Sequence, residues 1–248
     1  MNSELKGIVL KSRPFSNKDM LLTVFSDKEG KITVLAKGVR GAKRSVLYTQ
    51  PFAYSEFMLY KGSSIYTVDQ ANLIESFYGL RQDIETLASA QYLMELVEQL
   101  PKEMISGDEP AILKLLLNSV YLLTKNADDS LTVKKIKMMF ELKFCALCGF
   151  SPDLSVCAEC GKESAGFWIY GEGMRCPDCG ALRADGHRIT ESMAKAVAYV
   201  LETDMAKAYK FSMSKDALDY LATLVENFVM YVFNKDFPSL TYYRTLNL

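Results

Sequence analysis

The chain has 248 residues and a net charge of −1, with 49% hydrophobic and 24% charged residues. These proportions are typical of a folded globular protein and exclude a chain that is disordered over most of its length. The apolar runs are shorter than the roughly 20 residues that a helix needs to cross a bilayer. The N-terminus carries Glu4 and lacks the apolar core of a secretory signal, so we expect a cytoplasmic protein that does not associate with membranes.

The first 78 residues are predicted to form β-strands. Five short segments there are rich in β-branched and aromatic residues and are separated by turns. They are Leu5–Lys11, Met20–Phe25, Lys31–Ala36, Phe52–Tyr60 and Ile65–Ile74. Five strands within about 75 residues suit a small closed barrel, for which the OB-fold, a common oligonucleotide-binding fold, and SH3-like barrels are the candidates.

Beyond residue 80 the apolar residues follow helical spacing. Helices are predicted up to about Ala146, and again over Thr190–Glu202 and Ser214–Phe233. The intervening segment, 150–182, is dense in Gly, Pro and Cys and is predicted to be an insertion. The predicted fold class is therefore α+β multidomain, with an N-terminal five-stranded barrel over 1–79 and an α-helical domain over 80–248.

Six cysteines form three Cys-x-x-Cys pairs, and a tetrahedral zinc site needs only two of them. The second and third pairs are each followed by glycine, Gly161 and Gly180, which can adopt unusual backbone dihedrals. Fifteen residues separate these two pairs, as in known zinc sites. We predict one structural Zn²⁺, without an open position for water, bound by Cys157, Cys160, Cys176 and Cys179.

The first pair, Cys145 and Cys148, falls at the end of a predicted helix. We interpret these residues as small buried side chains, with a metal or redox role as the alternative. A thioredoxin-like motif has a strand before the pair, whereas a helix is predicted here, which argues against redox catalysis.

Catalytic constellations are missing from the sequence. His187 is the single histidine, which argues against most mechanisms of acid–base catalysis and against a Ser-His-Asp triad. There is no phosphate-binding loop of the G-x-x-x-x-G-K-[ST] type. Carboxylates in the predicted helices are interpreted as solvated faces. We expect a non-enzymatic protein; a zinc-dependent nucleic-acid enzyme would need an open zinc position.

Positive charge is concentrated in the first third of the chain, where residues 1–80 hold eleven Lys and Arg against seven Asp and Glu. A basic loop between the third and fourth strands could follow a phosphate backbone. The predicted DNA-binding residues are Lys37, Arg40, Lys43 and Arg44 in this loop, with Lys11 and Arg13 on the same side. Four aromatic residues could either stack on bases or fill the barrel core: Tyr48, Phe52, Tyr54 and Tyr66.

Several stretches resemble the RecO family of bacterial recombination and repair mediators. They are Ala36–Arg40, Gln50–Phe52, Phe77–Asp83, Ala90–Tyr92 and Gly149–Leu154 leading into the two cysteine pairs. The resemblance covers essentially the whole chain. It implies an OB-fold followed by a helical domain that carries a four-cysteine zinc module, and the zinc cysteines carry over onto the four predicted here.

The resemblance also implies a function and partners. A family member binds single- and double-stranded DNA, anneals complementary strands, and works with RecR to load RecA onto strands coated by single-stranded DNA-binding protein (SSB), whose acidic C-terminal tail it can contact. Such a protein is expected in the cytoplasm in association with the nucleoid. The alternative is a protein-interaction adaptor of the repair machinery that does not itself anneal DNA.

Overall fold

The computed structural model describes residues 2–40, 46–62, 65–101, 107–163, 165–181 and 183–246. Its backbone contacts divide the chain into two compact units, Met1–Thr124 and Lys125–Leu248. The predicted division into a barrel over 1–79 and a helical domain over 80–248 stays a prediction.

Five strands of the first unit form a closed barrel. They are β1 (Asn2–Pro14), β2 (Met20–Ser26), β3 (Gly30–Ala36), β4 (Tyr54–Lys61) and β5 (Tyr66–Glu75). Their order is β1-β2-β3-β5-β4, and β4 pairs back with β1. The β3–β5 pairing is parallel and the other pairings are antiparallel. This architecture confirms the predicted five-stranded OB-fold barrel.

Side chains alternate between the two faces of the barrel wall, as the two-residue period of a strand requires. In β3, for example, Ile32, Val34 and Ala36 are buried in the barrel core. Val39, just past the end of β3, is buried in the same core. The segment that follows β3 is therefore anchored to the barrel by an apolar side chain.

Among the residues described, two α-helices follow the barrel, α1 (Ile84–Gln99) and α2 (Glu109–Lys125). Asp83 caps α1, because its carboxylate accepts a 2.7 Å hydrogen bond from the Thr86 N–H. The Lys31 ammonium of β3 donates to the backbone carbonyls of Glu98 and Leu100 at the other end of α1. These carbonyls have no partner within the helix, so the lysine both satisfies them and ties α1 to the barrel.

The second unit contains the remaining helices and a small sheet. The helices are α3 (Ser130–Leu147), α4 (Pro177–Gly180), α5 (Glu191–Glu202), α6 (Met205–Ala208), α7 (Lys215–Phe233) and α8 (Pro238–Leu246). The strands are β6 (Phe167–Ile169), β7 (Gly173–Arg175) and β8 (His187–Arg188), in the order β7-β6-β8. The cysteine-rich insertion thus lies between α3 and α5, as predicted. Over the residues described, no helix is long and apolar enough to cross a membrane.

Candidate nucleic-acid interface and metal centre

Four cysteine sulfurs converge in the second unit, those of Cys157, Cys160, Cys176 and Cys179. All four Sγ atoms lie within 4.8 Å of one another, and those of Cys160 and Cys176 are 3.7 Å apart. A tetrahedral zinc ion with Zn–S bonds of about 2.3 Å holds its sulfurs about 3.8 Å apart. A disulfide would instead need a sulfur–sulfur distance of about 2.05 Å. The spacing therefore fits a metal site, and these four residues are close enough to bind a metal ion.

Two tight turns place the cysteines. In the first turn the Gly161 N–H donates to the Cys157 carbonyl at 2.8 Å, and Gly161 has a φ of +73°. In the second turn the Gly180 N–H donates to the Cys176 carbonyl at 2.8 Å. Gly180 is part of the short helix α4, and a Cβ there would lie 2.7 Å from the Phe167 ring. The prediction of unusual glycine dihedrals is thus correct for Gly161 and wrong for Gly180, where the lack of a side chain matters instead.

The protein chain already favours one thiolate at this centre. The backbone N–H groups of Cys176 and Cys160 point at the Cys157 sulfur and lower the pKa of Cys157 to about 6. The hydrogen bonds that the Cys179 thiol makes to the sulfurs of Cys176 and Cys160 raise the pKa of Cys179 to about 12. A bound cation would replace such shared protons, because metal binding requires deprotonated thiols.

Aromatic residues fix the cysteine-rich insertion onto helix α7. Trp168 of β6 is buried, and its ring centroid lies 5.0 Å from that of Phe228 in α7. The Tyr170 hydroxyl donates a 2.7 Å hydrogen bond to the Leu224 carbonyl, also in α7. The buried Trp168 ring attaches the insertion to α7, and the Tyr170 hydrogen bond fixes its orientation on that helix.

A second site is built at one end of the barrel. Pro14 pairs with Met20, and Met20 pairs with Ala36, so the β1–β2 turn and the segment after β3 lie at the same end. Three hydrogen bonds join these two segments: Gly38 N–H to Asp19 Oδ1 at 2.8 Å, Arg40 N–H to the Lys18 carbonyl at 3.0 Å, and Arg40 Nη1 to the Ser16 carbonyl at 2.9 Å.

The β1–β2 turn and the segment after β3 carry several cations. Lys18, Lys37 and Arg40 are exposed here and define what we call the basic end of the barrel. The Gly38 N–H, followed by the Ser16 hydroxyl, holds the pKa of Asp19 below its usual value, and the charges of Lys37 and Lys18 act in the same direction. Asp19 is thus an anion within a positively charged surface, and its carboxylate is occupied in fastening the two segments together.

Residues 1–77 match the family model described as "Recombination protein O N terminal", and residues 81–241 match "Recombination protein O C terminal". The chain belongs to the RecO family of DNA repair proteins.

Relatives within the RecO family match over almost their entire length. The "DNA repair protein RecO" of Acetivibrio thermocellus is 33% identical over 247 residues, which cover 97% of this chain and 96% of the relative. Proteins of the same name from Alkaliphilus metalliredigens and Caldicellulosiruptor saccharolyticus are 33% and 32% identical. These alignments cover 91% of both chains in the first case and 96% of both in the second.

The predicted DNA-binding residues have different surroundings in this RecO-family structure. Arg13 is exposed in β1 and pairs with Leu21, next to the Pro14–Met20 pair from which the β1–β2 turn begins. Lys11 forms an ion pair with Glu98 of α1, with 2.7 Å between Nζ and Oε2. Lys43 and Arg44 lie outside the described residues. Lys18 was missed, because a single cation in a short turn does not form a charge run in the sequence.

Two of the predicted aromatic platforms are buried, and a third packs against the barrel core. Phe52 and Tyr66 are buried, and Tyr48 packs against the core with its ring edge-on to Phe57, at 6.2 Å between centroids. Burial also raises the pKa of both Tyr48 and Tyr54. Core packing, the alternative kept open for these side chains, is therefore correct for Phe52 and Tyr66. An exposed aromatic residue that sequence periodicity does not single out, Phe15, lies instead in the β1–β2 turn.

The other candidate ligands are located away from the four cysteines. Cys145 is buried in α3, and burial raises the pKa of its thiol, while Cys148 caps the end of the same helix. His187 pairs with Trp168 in the small sheet and stacks on Tyr170, with 4.6 Å between ring centroids. Among the residues described, Cys157, Cys160, Cys176 and Cys179 are the group arranged to hold a metal ion.

Proposed function

We propose that this RecO-family chain is a non-enzymatic DNA-binding recombination mediator. It binds single- and double-stranded DNA, anneals complementary strands and, together with RecR, helps to load RecA onto single strands coated by SSB. The observation that carries this proposal is the basic end of an OB-fold barrel in a chain that belongs to the RecO family.

The basic end suits a phosphate backbone. Its three cations, Lys18, Lys37 and Arg40, are exposed, while the segments that carry them are fixed by backbone hydrogen bonds. Each phosphate contact releases a condensed counterion, which makes binding favourable and salt-dependent. Neutralising phosphates on one strand also lowers its repulsion of a second strand, and this is the physical requirement for annealing.

The proposed reaction forms and breaks no covalent bond, so it needs no catalytic group. The mediator lowers the barrier to strand exchange by holding DNA and SSB at once, with the acidic C-terminal tail of SSB as the segment that it contacts. RecR is a direct partner in this scheme, and RecA acts on the product. The proposed location is the cytoplasm, in association with the nucleoid.

We infer that the metal of the four-cysteine centre is a single structural Zn²⁺. Four thiolates are the donor set that structural zinc sites prefer, and they leave no coordination position for water. Bound zinc supplies a tetrahedral cross-link between the two cysteine turns. The chain's own contribution is to aim backbone N–H groups at the Cys157 sulfur and to hold the insertion on α7 through Trp168.

A strand-annealing assay on SSB-coated complementary oligonucleotides tests the proposed function. The wild-type chain is expected to speed annealing, and the double variant Lys37→Ala, Arg40→Ala to do so less. Lys28→Ala is the matched control. Lys28 is exposed in the β2–β3 turn, next to the Ser26–Gly30 pair, whereas the basic end lies at the opposite end of these strands, next to the Met20–Ala36 pair. Recovery of RecR or SSB in a pull-down without DNA binding or annealing would overturn the proposal in favour of the adaptor.

A further inference from the structure

Phe15 is the first residue after β1 and exposes 60% of its surface. Single exposed aromatic residues are common on protein surfaces, so exposure alone assigns no role. The position of Phe15 is more informative. It begins the turn whose other end is Asp19, the residue that fastens the β1–β2 turn to the segment after β3.

Hydrogen bonds within the turn hold the backbone of Phe15 in place. The Phe15 N–H donates to the Asp19 carbonyl at 3.0 Å, and the Ser16 hydroxyl donates to Asp19 Oδ2 at 2.8 Å. The Ser16 oxygen in turn accepts from the Lys18 and Asp19 N–H groups at 3.2 and 3.1 Å. Because a phenylalanine has only two side-chain torsions and its backbone is already fixed, ordering its ring on a ligand has a small entropy cost.

Cations lie in the turn that Phe15 begins and in the segment that is hydrogen-bonded to this turn. Lys18 belongs to the same turn, and both Lys18 and Lys37 are close enough to Asp19 to lower its pKa. Arg40 donates from Nη1 to the carbonyl of Ser16, the residue next to Phe15. An exposed ring on the same turn as exposed cations offers two different contacts, a flat surface for a base and positive charge for the phosphates beside that base.

We propose that Phe15 is a stacking platform for a base of single-stranded DNA at the basic end of the barrel. The inference rests on the proposed DNA-binding function and adds the residue through which the site distinguishes single from double strands. Bases in a duplex are already stacked on their neighbours, whereas the bases of a single strand can turn outwards onto a protein ring. Phe15 therefore strengthens binding to single strands, while the cations act on both kinds of DNA.

Equilibrium binding of the full-length chain to a single-stranded oligonucleotide and to the matching duplex tests this inference. Phe15→Ala is expected to weaken single-strand binding roughly 10-fold, within the range for loss of one stacked base. Duplex binding should be unchanged, and so should the salt dependence for both DNAs, because no phosphate contact is removed. Phe15→Leu, which keeps an apolar side chain but no aromatic face, should show the same selective loss.

Two further variants keep the test independent of folding. Phe15→Trp should retain single-strand affinity, and its fluorescence should be quenched by the oligonucleotide; the natural sequence has one tryptophan, and it is the buried Trp168. Tyr242→Ala is the matched control, because Tyr242 is also an exposed aromatic residue, at 46%, but lies on α8 of the second unit. It should bind both DNAs as the wild type does.

The outcomes separate this inference from the proposed function. Unchanged single-strand affinity in Phe15→Ala, together with weaker binding in Lys37→Ala, Arg40→Ala, would overturn the stacking role and leave the DNA-binding proposal intact. Equal losses for single strands and duplex in Phe15→Ala would also overturn it. A wild-type chain that binds neither DNA would overturn both.

Discussion

Two groups of charged residues in this chain have opposite surroundings. The basic end of the barrel consists of exposed cations on hydrogen-bonded loops. In the second unit, Lys137 of α3 is fully buried, and its Nζ lies 2.9 Å from Glu141 Oε1 and 2.8 Å from Glu226 Oε1. The second carboxylate oxygen of Glu226 accepts from Arg244 Nε of α8 at 2.7 Å. One group is paired within the fold, and the other faces outward.

The contrast shows why burial decides what a charge does. Burial by itself lowers the pKa of Lys137, but the carboxylates of Glu141 and Glu226 outweigh it and raise that pKa above its usual value. Burial likewise raises the pKa of Glu226, and Lys137 and Arg244 more than offset it. Lys137 and Glu226 therefore both stay ionised. The ion pairs of Lys137, Glu141, Glu226 and Arg244 link α3, α7 and α8. The cations of the basic end lie at the surface instead.

The largest effect is expected at the metal centre, where Cys176→Ser removes one of four ligands. Structural zinc sites contribute about 10–16 kcal/mol of apparent binding free energy in zinc-finger peptides, so losing the metal should strongly destabilise the second unit. Metal analysis should find one zinc per wild-type chain and none in the variant. The barrel of the variant should still bind DNA with an unchanged salt dependence. This result would show that the four cysteines act on stability, while DNA binding depends on the barrel.

Cys148→Ser is the matched control for the metal centre, because Cys148 belongs to the cysteine pair outside the four-sulfur cluster. It should keep its zinc. Full zinc content in Cys176→Ser, or its loss in Cys148→Ser, would contradict the ligand assignment.

The next largest effect is expected for Lys137→Met, which leaves the buried Glu141 and Glu226 without their shared cation. Breaking a buried pair in this way costs about 3–5 kcal/mol, since buried carboxylates lose the cation that offsets their desolvation. Urea unfolding measures the loss. Lys195→Met provides the comparison, because Lys195 forms an exposed pair with Glu191 on α5, and such a pair contributes at most about 1 kcal/mol. Similar losses in the two variants would be evidence against a structural role for the buried cluster.

A smaller, pH-dependent effect follows from Glu226. Its pKa is lower in the folded state than in the unfolded chain, so its stabilising contribution is present above the unfolded value of about 4.3. The contribution is lost as the pH falls through the lower, folded value. The stability difference between the wild type and Glu226→Gln should therefore shrink below about pH 4. Because both chains lose thiolate ligands equally in acid, urea unfolding of the pair from pH 7 to pH 3 isolates this carboxylate, and a constant difference would count against it.

The sequence predicted the barrel strands because alternation and turn residues are local signals. It underestimated β1, which runs from Asn2 to Pro14 although the apolar run ends near Lys11, because pairing with both β2 and β4 extends a strand beyond its own pattern. The interpretation of helical carboxylates as solvated was wrong for Glu141 and Glu226. Lys137 and Glu141 are four residues apart on α3, but they are buried against Glu226 of α7, which pairs with Arg244 of α8, and one sequence does not show that these helices meet.

The candidate sites were predictable to different degrees. Two Cys-x-x-Cys pairs at a fixed spacing have few three-dimensional solutions, so the cluster of four sulfurs could be predicted before its geometry was known. The barrel end could be located only in part, because Lys18 and Phe15 become neighbours of Lys37 and Arg40 through the pairing of β2 with both β1 and β3. Which aromatic residue is exposed depends on the closed barrel, and Phe52 and Tyr66 turned out to be buried.

The salt dependence of single-stranded DNA binding tests most directly the claim that the basic end of the barrel is the DNA-binding surface. Removing two of the cations that we propose to contact phosphates, in Lys37→Ala, Arg40→Ala, should weaken binding and reduce the slope of log affinity against log salt by about 1.4, at roughly 0.7 per contact. Lys28→Ala, at the other end of β2 and β3, should keep the wild-type slope. An unchanged affinity and slope in the double variant would contradict the account.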